Sequence, residues 1–153
     1  MSAEAPAMLL AHHLKSLKLP TFLREHDKLA RQCAAEGLDH VRYLARLAEL
    51  ELIERERRKV ERRIKDARFP VLKTLDAFDY AVQPALDRDH VLELARGDFV
   101  TAHHNAVLVG GVGTGKTHLA IALGIACCQH EHRVRFTTAA ELTKELLEAK
   151  AAG

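Results

Sequence analysis

A glycine-rich segment followed by lysine and threonine is the part of this sequence best suited to chemistry. Residues 110–117 match the Walker A pattern G-x-x-x-x-G-K-[ST] at every fixed position. Glycines let consecutive backbone N–H groups converge on phosphate oxygens, because no Cβ atom stands in the way. The pattern therefore predicts a phosphate-binding loop. The residues predicted to bind are Gly110, Gly111, Val112, Gly113, Thr114, Gly115, Lys116, Thr117 and His118.

Lys116 and Thr117 add two groups that a nucleoside triphosphate requires. The Lys116 ammonium can reach the β- and γ-phosphates, which makes it the predicted catalytic residue, and the Thr117 hydroxyl can join a Mg²⁺ shell. The helix expected after Lys116 contributes its positive N-terminal end. ATP and Mg²⁺ are thus the predicted ligands. The alternative is a glycine-rich turn followed by a chance Lys-Thr pair.

Hydrolysis of ATP needs more than this loop. An acidic side chain at the end of a neighbouring strand usually holds Mg²⁺, and another group orients the attacking water. The acidic residues after Thr117 are Glu131, Glu141, Glu145 and Glu148, and none follows an apolar strand. We therefore expect negligible turnover by this chain, leave open whether it is an enzyme, and expect it to be a fragment or a truncated form.

The elements around the loop alternate between strand and helix patterns. The apolar runs at 106–109 and 134–137 predict two buried parallel strands. The alanine-rich stretch 119–128 and the segment 139–150 predict helices, the second introduced by a Thr138–Glu141 capping box. This order predicts an α/β fold, in which residues 106–153 form a partial P-loop domain with a parallel sheet, truncated after its second strand–helix unit.

The first 72 residues instead predict a small helical domain. Proline at position 20 ends one helix and begins a second, which runs to Glu36, and Asp39 caps a third that reaches Asp66. Residues 73–105 predict a docked linker with a short helix, for which Asp87 is the expected N-cap and Gly97 the stop. The apolar face of the third helix is expected to comprise Leu44, Leu47, Ala48, Leu52, Ile53, Val60 and Ile64.

Basic residues are concentrated on that third helix. Residues 42–73 hold eleven Lys and Arg against six Asp and Glu. A basic set is expected opposite Ile53, Val60 and Ile64, and it comprises Arg55, Arg58, Lys59, Arg62 and Lys65. One interpretation is sequence-independent contact with DNA phosphates. The other is a solvated face laced by ion pairs four residues apart.

Composition restricts the broad class. The chain has 153 residues, of which 48% are hydrophobic and 29% charged, and this balance suits a soluble globular protein. No apolar run approaches the ~20 residues that a membrane-spanning helix needs. Three cysteines, two of them adjacent, argue against a disulfide framework and predict a cytoplasmic protein.

Three stretches together resemble one family, the IstB-like transposition helper ATPases, which are AAA+ relatives of the helicase loader DnaC. The strongest is residues 113–120, Gly-Thr-Gly-Lys-Thr-His-Leu-Ala, preceded by Leu108-Val109-Gly110. The others are residues 73–80 and the leucine-rich helices that end in residues 54–58. The resemblance covers the whole chain, although the family's ATPase domain continues beyond residue 153.

The resemblance implies an ATP-binding helper of DNA transposition that assembles on DNA. It implies an N-terminal DNA-binding domain, homo-oligomers and partnership with a transposase. The family's acidic hydrolysis motif and arginine finger have no counterpart in this sequence. Two other interpretations stay open, a DnaC-like helicase loader and a non-enzymatic DNA-binding fragment.

Overall fold

The computed structural model describes residues 4–152, and these form helices joined by turns and irregular segments. The helices are α1 Glu4–Ser16, α2 Pro20–Ala35, α3 His40–Asp66, a 3₁₀ turn Tyr80–Val82, α4 Arg88–Ala95, α5 Asp98–Thr101, α6 Lys116–Gln129 and α7 Ala139–Ala152. Among the described residues, no helix is both long and apolar enough to cross a membrane.

The helix predictions are confirmed, and so are their boundary signals. Pro20 opens α2, where its missing N–H costs nothing. The Asp39 carboxylate accepts from the amide of Arg42 at 2.8 Å, and the Asp87 carboxylate accepts from the amides of Asp89 and His90. At α7 the capping box is reciprocal, since the Glu141 amide donates to Thr138 Oγ1 while the Glu141 carboxylate accepts from the Thr138 amide.

The α/β prediction is wrong for the described residues, because they contain no strand and no sheet. Residues 104–111 and 132–138 form neither helix nor strand. Val107 and Val109 are 79% and 90% exposed rather than buried. A run of β-branched residues favours extended backbone, whereas a strand also needs hydrogen bonds from a neighbour. Within the described chain, the two predicted strands share a single backbone hydrogen bond with another segment. In it the Phe136 amide donates to the carbonyl of Ala67, a turn residue, at 2.8 Å.

The chain divides into two compact units, Met1–Lys59 and Val60–Gly153. The core of the first unit lies between α2 and α3, where Leu29, Cys33 and Leu47 are buried. Partly buried side chains complete this core, namely Phe22, Leu38, Tyr43 and Leu50.

A buried carboxylate joins α3 to the beginning of α2 within the first unit. Glu51 is only 4% exposed, and its Oε2 accepts from the Thr21 amide at 2.9 Å. The N-cap residue of α2, Leu19, makes no side-chain hydrogen bond to the helix amides. The Glu51 carboxylate takes this capping role from a position 30 residues beyond Thr21. Glu51 Oε1 accepts from Arg58 at 2.9 Å and lies 3.4 Å from Arg55. The burial of Glu51 is thus compensated on both carboxylate oxygens.

The Glu51 network corrects the predicted apolar face of α3. Leu44, Leu52 and Ile53 are more than half exposed, while Leu47 and Glu51 are buried. The interior face therefore follows residues 43, 47, 50, 51, 54 and 58, at helical spacing. The sequence interpretation missed it because an acidic residue occupies one of its central positions.

The second unit is built around α6. Eight of the fourteen α6 residues are buried, including Leu119, Leu123 and Cys128. Leu119 and Leu123 form a core with Phe78 and Val91. Gly124 gives α6 close contact with its neighbour, because a Cβ there would lie 2.9 Å from Phe69 Cζ. This packing fixes α6, whose first residue is Lys116.

Replacing Glu51 by Gln tests the buried cap. Burial acts to raise the pKa of Glu51, but hydrogen bonds from Thr21 and Arg58 outweigh it, so the net pKa lies below the ordinary 4.5. At pH 7 we expect Glu51→Gln to lower the free energy of unfolding by about 1–2 kcal/mol, since charge-assisted hydrogen bonds become neutral ones. The contribution of the charge is complete above pH 4.5 and is lost as the pH falls through the folded-state pKa, so the two proteins should converge in acid.

Urea unfolding followed by circular dichroism at pH 7 and at lower pH measures this difference. Glu49→Gln is the matched control, because Glu49 is exposed and makes no ion pair with the described residues. A Glu51→Gln protein as stable as the control at pH 7 would contradict the cap.

Candidate phosphate-binding site

The segment predicted to bind phosphate runs from the end of the irregular segment 104–111 into the first turn of α6. Gly113 and Gly115 have φ angles of +78° and +83°, a left-handed conformation that other L residues adopt at a cost. Gly115 is the N-cap of α6 and has no side chain to offer its amides. The amide groups at this helix end therefore remain available to an anion.

Lys116 folds back over the loop. Its Nζ donates to the Gly111 carbonyl and lies 3.4 Å from Thr114 Oγ1. Thr114 Oγ1 itself donates to the same carbonyl at 2.9 Å. The loop thus closes on the Gly111 oxygen, with the ammonium group held at the place where the sequence pattern expects phosphate.

Thr117 and His118 point to different surroundings. Thr117 is exposed, and within the described part of the chain its hydroxyl makes no hydrogen bond. His118 Nε2 lies 3.0 Å from the Thr74 carbonyl oxygen, and the His118 ring meets Phe78 edge to face at 5.2 Å. Thr117 is therefore the residue placed to add a ligand to a cation, while His118 contacts the segment behind the loop.

Two glycines of the loop lie where a side chain would meet its neighbours. A Cβ at Gly110 would lie 3.2 Å from Thr114 Oγ1, and one at Gly115 would lie 2.9 Å from Phe78 Cε2. Side chains at these two positions would have to displace Thr114 or Phe78. With an ammonium group, a hydroxyl and glycine amides at one helix end, the donor set suits phosphate oxygens and a hydrated Mg²⁺.

A cleft of about 760 Å³ opens beside the loop. Gly110, Thr114, Gly115 and Lys116 form one side of it, so the cleft is continuous with the candidate phosphate site. Apolar side chains line much of the rest, namely Phe78, Leu86, Val91, Leu94, Phe99, Val107, Leu108, Val109 and Leu119. The sequence interpretation missed this cleft, because its walls come from residues up to 41 positions apart in the chain.

The four acidic residues after Thr117 are engaged elsewhere. Glu131 lies 3.6 Å from Arg63, and the Glu141 carboxylate accepts from the Thr138 amide just before α7. Glu145 pairs with Arg135, and Glu148 lies 3.8 Å from Lys144. Each of these carboxylates therefore has a partner among the described residues.

The basic residues of α3 do not share one environment. Arg55 and Arg58 pair with buried Glu51, and Lys59 pairs with Glu56 at 3.0 Å. Arg62 and Lys65 are exposed and form no ion pair with the described residues. The expectation that Arg58 points away from the interior is wrong, because this guanidinium binds a carboxylate on the interior face. Arg62 and Lys65 are therefore the two members of the set that have no ion-pair partner among the described residues.

Two glycine substitutions test the geometry of the loop. In Gly113→Ala the new methyl meets nothing within 4 Å, so we expect only the cost of a left-handed alanine, about 1–2 kcal/mol. In Gly115→Ala the methyl also meets the Phe78 ring, and overpacking should add roughly 1–3 kcal/mol. Urea unfolding followed by circular dichroism compares the two proteins.

Shortening the opposing side chain provides a check on the cause. If the Phe78 ring is responsible, the penalty of Gly115→Ala should shrink in a Phe78→Leu background, whereas that of Gly113→Ala should not change. Equal penalties for the two alanines in the wild-type background would show that the ring imposes no constraint on Gly115.

Comparisons with known proteins agree with the motif. The family model described as IstB-like ATP binding protein matches residues 12–153. A protein of Pseudomonas aeruginosa named for ATP binding in insertion sequence IS21 is 39% identical over 137 residues, 90% of this chain and 52% of the relative. One from Geobacillus stearothermophilus, named in the same way for insertion sequence IS5376, is 31% identical over 90% of this chain and 55% of its own length. The chain thus spans about half the length of these relatives, and it belongs to the family of IstB-like ATP-binding proteins.

Proposed function

We propose that this protein binds ATP with Mg²⁺ and serves as a helper in DNA transposition. The observation that carries the proposal is the loop at 110–117, whose two left-handed glycines lead into α6 beside Lys116 and Thr117. The relatives named for insertion sequences favour transposition over helicase loading. Partnership with a transposase and assembly into homo-oligomers on DNA belong to the same proposal.

The residues of the loop divide the work of binding. Backbone amides at the beginning of α6 hold phosphate oxygens, and the Lys116 ammonium leaves the Gly111 carbonyl to meet the β- and γ-phosphates. The Thr117 hydroxyl oxygen serves as one ligand of Mg²⁺. The apolar cleft beside Gly110 and Lys116 has room for the nucleoside, which would bury its base against side chains such as Leu94 and Phe99.

Removing the Lys116 charge tests nucleotide binding. We expect Lys116→Ala to bind ATP–Mg²⁺ at least about 10-fold more weakly, because a charge-assisted contact to phosphate is lost. Isothermal titration calorimetry with the full chain measures the affinity. Lys150→Ala is the matched control, since Lys150 is exposed on α7 and makes no ion pair with the described residues. If Lys116→Ala binds as tightly as this control, the loop is not the nucleotide site.

The DNA-binding part of the proposal assigns phosphate contacts to α3. Of the five basic residues, Arg62 and Lys65 are exposed and make no ion pair with the described residues, so they can meet DNA without loss of an internal contact. Arg58 is unsuitable for a test, because its replacement would also disturb buried Glu51. Contacts of this kind read no sequence and depend strongly on salt.

Charge reversal at these two positions tests the DNA contact. Arg62→Glu with Lys65→Glu should weaken binding to unrelated duplexes alike and should flatten the slope of log K against log salt by about 0.9 for each lost contact. Fluorescence anisotropy over a salt series measures both effects. Arg133→Glu with Lys150→Glu makes the same change in net charge at exposed positions. Equal losses in the two double variants would leave only a non-specific effect of charge.

A further inference from the structure

We infer that Phe78 and His118 position the phosphate loop, so that residues 74–78 set how well the loop holds phosphate. The inference rests on the proposed function for its effect on ATP, and on the contacts behind the loop for its structural part. Gly115 and His118 make these contacts with Phe78 and Thr74, which precede the 3₁₀ turn in the chain.

The first contact lies at Gly115. Its φ of +83° leaves space where a Cβ would stand, and the edge of the Phe78 ring occupies this space, 2.9 Å from the ideal Cβ position. The ring cannot retreat easily, because Phe78 is buried in the core with Leu119 and Leu123 of α6. The ring therefore supports the backbone of the loop immediately before Lys116.

The second contact lies one residue beyond Thr117. A carbonyl oxygen only accepts hydrogen bonds, so His118 Nε2 must carry the proton that it donates to Thr74, over 3.0 Å. The same imidazole packs edge to face on Phe78, with ring centres 5.2 Å apart. The His118 side chain thus joins α6 both to the Thr74 backbone and to the Phe78 ring.

The two contacts enclose the pair that the proposal assigns to phosphate and Mg²⁺. Lys116 and Thr117 stand between Gly115 and His118, so both ends of the pair are held from behind by residues 74–78. A binding site gains affinity when such support fixes its groups before the ligand arrives. Neither Phe78 nor His118 needs to touch the nucleotide for this effect, which makes them positioning residues.

The test centres on His118, because replacing buried Phe78 would also remove core packing. We expect His118→Ala to weaken ATP–Mg²⁺ binding about 3- to 10-fold, the range for one lost hydrogen bond. His118→Gln keeps an N–H that can reach the Thr74 carbonyl and should recover most of the affinity. Inorganic tripolyphosphate with Mg²⁺, which lacks base and ribose, should show the same loss and the same recovery by calorimetry. His40→Ala is the control, since His40 is exposed and its side chain makes no hydrogen bond, ion pair or ring contact with the described residues.

Hydrogen exchange of the ligand-free chain gives a readout that is independent of ATP. The amides of residues 111–117 should exchange faster in His118→Ala and return towards the wild-type rate in His118→Gln, while those of α2 stay unchanged. Unchanged exchange at 111–117 in His118→Ala, or equal effects of Ala and Gln, would overturn the positioning role. So would loss of ATP affinity without loss of tripolyphosphate affinity. A failure of Lys116→Ala to weaken ATP binding would instead refute the proposed function, and exchange would still decide the role of His118.

Discussion

The missing side chain at Gly115 is the constraint on which the candidate site depends. Its left-handed backbone turns the chain into α6, and the space beside it admits the Phe78 ring. The same ring packs with Val91 and Leu119, so the core of the second unit and the base of the loop share one aromatic side chain. A methyl group at this position would oppose both the turn and the packing. The glycine is therefore required by the fold as well as by the phosphate binding that we propose for the loop.

Glu51 plays a comparable part in the first unit through electrostatics rather than shape. A carboxylate this deeply buried is costly unless both oxygens are satisfied, and here Thr21 and Arg58 satisfy them. Compensation of Glu51 also affects the surface of α3, because Arg55 and Arg58 form ion pairs with this carboxylate. Arg62 and Lys65 form no ion pair with any residue that the structure describes. The internal charge of α3 therefore decides which of its cations can serve an external polyanion.

Local signals explain which predictions held. Caps such as Asp39 and Asp87, and the break at Pro20, act within a few residues, so the helices could be located from the sequence. The glycine pattern located the candidate loop for the same reason. The strands failed because an extended segment becomes a strand only through a partner, and residues 106–109 have none among the described residues. The roles of Glu51 and Phe78 were also missed, since their contacts join positions 30 and 37 residues apart.

The contacts of Lys116 show why support behind the loop matters energetically. Its ammonium already donates to the Gly111 carbonyl, so the phosphate binding that we propose would exchange one hydrogen bond for another rather than create a new one. The gain is the difference between a charge–dipole contact and a charge–charge contact, partly reduced by the lost hydration of the phosphate. A difference of this size is easily consumed if the loop must also be ordered on binding. A loop held in advance by Phe78 and His118, as we infer, would avoid that cost, and the exchange proposed at Lys116 would then contribute to affinity.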